Sequence, residues 1–216
     1  MRMIVRFGKN PRLRFISHLD LQRFFQRALN RTGLPIAYSQ GFNPHPVMAF
    51  ASALALGWTS DYEVIDIKLG APIGRKHAED AMRSALPDDL PVLQVKMVDD
   101  RTPSLMPMVR CSEYRIVNSG VTAEMIDCFL ASETVMAVRK TKSGEKEINI
   151  RPLAYELKLE DDVLVARLAL TDKDTLKPDL LVKSLVGEVS EDIKIHRVAL
   201  LAEGKDGALE PLMQTL

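Results

Sequence analysis

The spacing of apolar residues along this chain switches between a period of two and a period of 3.6 in one order, twice over, and that order leaves few folds open. MRMIVRFGK alternates apolar Met3, Val5 and Phe7 with their neighbours, as a half-buried strand does, and RLRFI after the turn Lys9-Asn10-Pro11 reads as a further short strand. The period then lengthens. Leu21, Phe24, Phe25, Ala28 and Leu29 recur at i, i+3, i+4, i+7 and i+8, a single helix face. Ser17-His18-Leu19-Asp20 matches a capping box and Gly33 with Pro35 supplies a stop, so a helix is predicted over 18–32. MAFASALAL is read as a strand, DYEVIDIKLG as another, GRKHAEDAMRSAL as a second helix and LPVLQVKMV as a closing strand. Strand, helix, strand, strand, helix, strand is the split βαβ order of a ferredoxin-like domain.

DDRTPSLMPMVRC has two prolines and no period, and is read as a linker. Beyond it SEYRIVN reads as a strand, TAEMIDCFLAS as a helix, ETVMAVRKTK and EKEINIRPL as a hairpin across Ser143-Gly144, DDVLVARLAL as a strand, KPDLLVKSLVG as a helix and IKIHRVALLA as a last strand. This repeats the first order with one strand added. The expected fold is therefore α+β, two tandem ferredoxin-like domains with antiparallel sheets: residues 1–99, a linker at 100–111, residues 112–203, and a frayed tail at 204–216.

The chain is neutral as a whole, but its charge is segregated. Residues 1–60 hold eight basic residues (Arg2, Arg6, Lys9, Arg12, Arg14, Arg23, Arg27, Arg31) against one acid, Asp20, a local charge of about +7. Such a bias points to an anionic partner, most often nucleic acid or phosphate. No apolar run approaches the roughly 20 residues of a membrane span and MRMIVRFGKN lacks a signal-peptide core, so a cytoplasmic location without membrane contact is expected. Cys111 and Cys128 are not in a CxxC pair, and are expected to be buried, reduced thiols.

Arg23, Arg27 and Arg31 lie four apart on the predicted helix and form one row, to which Arg12 and Arg14 add if they face the same way. The alternative is a solvated face on which Asp20 pairs with Arg23. In YSQGFNPHP, Gly41 permits a turn closed to other residues while Pro44 and Pro46 stiffen the chain around His45. Tyr38 and Phe42 offer stacking faces, and Gln40, Asn43 and His45 offer hydrogen-bond groups, a mixture suited to unpaired bases. The alternative has Phe42 plugging the core, Asn43 closing a turn and His45 bonded to backbone. An acid/base pair of His18 and His45 is conceivable, but Ser17 and Asp20 are already explained by the capping box. No metal site is expected from His18, His45, Asp20, Glu63 and Asp66, since no H-x-x-x-H spacing occurs and Glu63 and Asp66 fall on opposite sides of a strand.

RFISHLDLQRFFQRALNRTGLPIAYSQGFNPHP, followed by ALALGWTSDYEVIDIKL, resembles a bacterial family of radical SAM-linked (radical SAM-associated) proteins, a domain of unknown function. The positions that match its pattern are Ser17, His18, Leu19, Asp20, Arg27, Tyr38, Ser39, Gly41, Phe42, Asn43, Pro44, His45, Pro46, Gly57 and Glu63, while Val47 stands where a lysine is expected. In larger relatives the domain follows a radical SAM enzyme domain, so the resemblance implies such an enzyme as partner and an RNA-related role. The chain has no CxxxCxxC and can be only the accessory half; no cofactor of its own is expected. The leading expectation is a cytosolic accessory protein that binds RNA or another phosphate-bearing ligand and presents it to a radical SAM enzyme. The alternatives are a metal-independent ribonuclease using His18 and His45, by analogy with ferredoxin-like CRISPR repeat-processing endonucleases, and an interaction module that docks an acidic protein.

Overall fold

A computed structural model of the chain describes residues 1–141 and 144–216. The first half runs β1 (Arg2–Lys9), α1 (His18–Arg31), β2 (Met48–Phe50), β3 (Thr59–Lys68), α2 (Arg75–Ala85) and β4 (Val92–Val98). A four-residue helix, α3 (Leu105–Met108), leads into the second half: β5 (Val109–Val117), α4 (Ala123–Ala131), β6 (Met136–Thr141), β7 (Gly144–Asn149), β8 (Ala154–Glu160), β9 (Val163–Ala169), α5 (Pro178–Val186), β10 (Lys194–Glu203) and β11 (Leu209–Pro211). The molecule is a mixed α+β protein with few helices and one large, mostly antiparallel sheet. Its strands follow the order β4-β1-β3-β10-β5-β9-β8, with β2 beside β3 and β11 beside β10. The strands of the two halves thus share a sheet in place of the two expected from the sequence.

The seam between the halves is short and parallel. β10 meets β3 only where His196 lies opposite Thr59 and Arg197 opposite Ser60, while β2 takes the rest of that edge of β3, Met48 to Phe50 opposite Ile67 to Ile65. On one face of the sheet Met3, Val5, Phe7, Ile65 and Ile67 pack against Leu21, Phe25, Ala28 and Leu29 of α1 and Ala78 and Met82 of α2. This is the apolar stripe read from the sequence. In the second half Tyr114, Ile116, Leu164 and Ala166 pack with Ile126 and Phe129 of α4 and Leu181 and Val182 of α5.

The opposite face of the sheet is covered near the seam by two segments read from the sequence as linker and tail. Leu105 and Val109, from the stretch read as a linker, and Leu212 and Met213, from the stretch read as a frayed tail, pack on Ile4, Tyr62, Val64, Leu200 and Ala202. The Met213 amide donates to the Tyr62 hydroxyl at 3.0 Å. Both segments cover apolar side chains of β1, β3 and β10 that would otherwise face water. Two further readings change. RLRFI is not a strand: Pro11–Leu13 forms a 3-10 turn with proline at its start. Of MAFASALAL only Met48–Phe50 is strand. β6 and β7 pair antiparallel from Met136 opposite Asn149 to Thr141 opposite Gly144, and the expected turn residue Ser143 lies outside the described residues.

Candidate nucleic-acid interface

α1 begins where the capping box places it. The Ser17 hydroxyl oxygen accepts the Asp20 amide at 3.2 Å, but the Asp20 carboxylate takes the Ser17 hydroxyl hydrogen at 2.6 Å and not the cap amide. With its apolar stripe on the sheet, the helix turns Arg23 and Arg27 to solvent. Arg23 lies 3.4 Å from Asp20, as the solvated-face alternative expects, and both side chains remain mostly exposed. Such surface pairs contribute little, so the guanidinium stays available to a stronger anion. Arg31 is exposed but donates to the Ala85 carbonyl at the end of α2 at 3.2 Å, which ties the two helices together. Arg12 and Arg14 stand in and after the 3-10 turn. Arg12 is 86% exposed and 3.8 Å from Asp89, and the Arg14 guanidinium lies over the Phe15 ring, 4.5 Å from its centroid.

Three cations of the basic N-terminal segment serve the fold. Arg2 pairs with Asp66 at 2.6 Å, Arg6 stacks on Tyr62 at 4.8 Å, and the Lys9 ammonium donates to the Arg14 and Ile16 carbonyls at 3.2 and 3.0 Å. The surface is therefore less basic than the segment's charge, and its positive groups concentrate on α1 and on the turn before it.

Residues 38–46 form a hairpin closed by its own hydrogen bonds. Tyr38 and Pro46 make an antiparallel bridge. The Ser39 amide donates to the His45 carbonyl at 2.9 Å and the His45 amide to Ser39 Oγ at 3.1 Å, and Ser39 Oγ lies 3.0 Å from His45 Nδ1. Gly41 adopts φ +123°, a conformation that other residues rarely reach, and turns the chain so that Phe42 projects wholly into solvent. Phe42 does not plug the core. Gln40 and Asn43 are exposed beside it, and the His45 ring is held locally through Ser39 and the Asn43 carbonyl. The Tyr38 hydroxyl donates to Asn30 Oδ1 at 2.6 Å, which fixes the hairpin beside the last turn of α1, one turn from Arg27.

His18 lies at the other end of that helix, twelve residues or about 18 Å of helix rise from Asn30. Its ring packs on Phe50, 5.0 Å between centroids. β2 leads from the foot of the hairpin to that Phe50, and the two histidine rings have separate partners, Phe50 for His18 and Ser39 for His45. Among the described residues no cluster of His, Cys, Asp and Glu is placed to hold a metal ion. Cys111 is buried, and burial pushes its thiol up to about 12, whereas Cys128, expected to be buried, is exposed.

A second polar cluster went unread in the sequence. Among the described residues the buried charged groups are Lys9, Glu63 and Arg197, and they gather at the seam. Arg197 Nη1 donates to both Glu63 oxygens at 2.9 and 3.3 Å, and Nη2 donates to the Ala53 carbonyl at 3.2 Å and lies 3.4 Å from the Tyr114 hydroxyl. Burial alone would lower the Arg197 pKa, but Glu63 and Tyr114 more than offset it and hold the guanidinium charged. Burial also lowers the Lys9 pKa, with Glu63 opposing. Glu63 carried a signal as a position of the family pattern. Arg197 carried none, because IKIHRVALLA reads as an ordinary strand.

Fold and surface together define an α+β protein with one large, mostly antiparallel sheet, carrying an arginine-lined helix and a rigid aromatic hairpin on its N-terminal half. The chain belongs to the family described as uncharacterized protein conserved in bacteria (DUF2344), whose model matches residues 2–178. None of the curated proteins compared with it matches the chain. Among solved structures it is similar to a chain of the "Crystal Structure of a Cbf5-Nop10-Gar1 Complex", at 9% identity and a TM-score of 0.45, with 99% of this chain and 61% of that chain covered. It is also similar to an unknown protein from Galdieria sulphuraria, at 15% identity and a TM-score of 0.29, with 92% and 98% covered. The chain spans about three-fifths of the length of the first, and neither likeness bears on what it binds. Among the described residues no helix is long and apolar enough to cross a membrane.

Proposed function

We propose that this chain is a cytoplasmic RNA-binding accessory protein that presents its RNA to a radical SAM enzyme. Arg23 and Arg27 contact phosphates, Arg12 and Arg14 extend that contact, and Phe42 stacks on a base while Gln40 and Asn43 bond to its edge. The observation that carries the reading is Phe42, a phenyl ring wholly in solvent at the tip of a hairpin closed by its own hydrogen bonds and docked beside exposed arginines. Apolar surface held out of the core forgoes about 25 cal/mol per Å², and a hairpin rigid enough to keep it there marks a surface meant to be covered by something else. Guanidinium groups beside an aromatic ring suit a partner with phosphates and flat bases. The enzyme partner rests on the family resemblance, with the iron-sulfur cluster supplied by that partner.

The fold behind this reading is a pair of ferredoxin-like units fused edge to edge. The strand orders support it: β4-β1-β3 with β2 beside β3, and β10-β5-β9-β8, each with two helices on one face. Fluorescence anisotropy with labelled RNA at several salt concentrations tests the function. Wild type should bind with an affinity that falls steeply with salt, and Arg23→Ala with Arg27→Ala should flatten the slope of log K against log salt by about 1 to 2. Phe42→Ala should weaken binding by about 1–3 kcal/mol at any salt. A wild-type protein that shows no salt-sensitive RNA binding overturns the proposal.

A further inference from the structure

We infer that the RNA is single-stranded and is held at both ends of α1, with Phe15 as a second stacking platform; this rests on the RNA reading above. Of the exposed aromatic rings among the described residues, Phe15, Tyr38 and Phe42 belong to the N-terminal segment and only Tyr155 to the second half. They fall at the two ends of one helix. Tyr38 is bonded to Asn30 in its last turn, and Phe15 stands two residues before its cap, Ser17, 67% exposed. The solvent face between them carries Arg23 and Arg27.

Phe15 is propped in place. The Gly57 amide donates to the Arg14 carbonyl at 2.8 Å, which ties the backbone before Phe15 to Gly57, at φ +86°. The Arg14 guanidinium lies over the same ring, 4.5 Å from its centroid. An aromatic ring with a cation on it and open surface around it is a place for a base, with the cation close to the phosphate that follows.

The separation of the platforms selects the form of the nucleic acid. Ser17 and Asn30 are thirteen residues apart, about 20 Å of helix rise. A duplex of A-form RNA keeps its bases stacked inside and offers two protruding phenyl rings nothing to stack on, whereas a single strand splays its bases while its phosphates follow a basic row. A strand toward the upper end of the range of about 4–16 nucleotides seen for single-strand grooves covers both platforms and the arginines between them.

The test is anisotropy with labelled oligouridylates of about 4 and about 16 nucleotides and with an RNA duplex of about 16 base pairs. The longer single strand should bind at least about tenfold tighter than either of the others, and Phe15→Ala should weaken it by about 5- to 150-fold, more than it weakens the short oligomer, which reaches only one platform at a time. Phe15 is exposed, so circular dichroism of that variant should match wild type. Duplex binding as tight as single-strand binding, or a Phe15→Ala protein indistinguishable from wild type on the long strand, overturns the inference while the RNA reading stands. Failure of every RNA to bind overturns both.

Discussion

Taking Arg197 and Glu63 out of water costs several kcal/mol for each ion, and their mutual attraction offsets this because the geometry is close and Nη2 also finds the Ala53 carbonyl and Tyr114, while the buried Nε has no hydrogen-bond partner. Glu63→Gln leaves the guanidinium buried without its counter-charge, and should lower the unfolding free energy by about 3–5 kcal/mol in urea titration. Replacing both by apolar residues of similar size, Glu63→Leu with Arg197→Met, should recover most of that loss; a double variant as unstable as the single would contradict this reading. His18, one layer out, reports on the same charges. Burial lowers its pKa from the ordinary 6.5, with Glu63 opposing and Lys9 reinforcing. As pH falls through that ordinary value the unfolded chain takes up a proton that the folded chain refuses, so the His18 contribution to stability is complete above it and declines below it. The urea midpoint of wild type should therefore fall more between about pH 7 and 5 than that of His18→Gln, and parallel profiles would refute the assignment.

The 38–46 hairpin is held by Ser39, whose hydroxyl meets both the amide and the ring of His45. Ser39→Ala should loosen the tip and weaken RNA binding, yet change global stability by no more than about 0.5 kcal/mol because the loop is exposed; unchanged RNA affinity would show that its rigidity has no role. The sequence announced this element only in part. Gly41, Pro44 and Pro46 mark a stiff loop, but nothing local says whether Phe42 turns inward or outward, since both satisfy the same backbone. α1 was legible to within a residue because capping, stripe and stop agree. RLRFI misled because the spacing of Leu13 and Phe15 imitates a strand, whereas Pro11 sets a 3-10 turn and Phe15 is left exposed beside Gly57. The pairing of β3 with β10 was out of reach, because Thr59 and His196 are 137 positions apart and no local pattern records a partner so distant.

Across the whole molecule the two halves are joined by a narrow parallel seam, with the buried ion pair on one face and the C-terminal segment on the other. Leu212 is fully buried on that second face, so Leu212→Ala should cost about 2–5 kcal/mol, measured by thermal or urea unfolding; a cost near zero would mean that the segment does not stay docked. The same arrangement leaves the first half's helical face, with its arginines and exposed rings, as the surface open to a partner. Where RNA lies on the molecule can be mapped by photo-crosslinking a single strand that carries 4-thiouridine and identifying the modified peptides by mass spectrometry. Adducts should fall on residues 12–15 and 38–46. Adducts confined to residues 109–203, or their persistence when Phe42→Ala is combined with Arg23→Ala and Arg27→Ala, would contradict the placement of RNA on α1 and the hairpin.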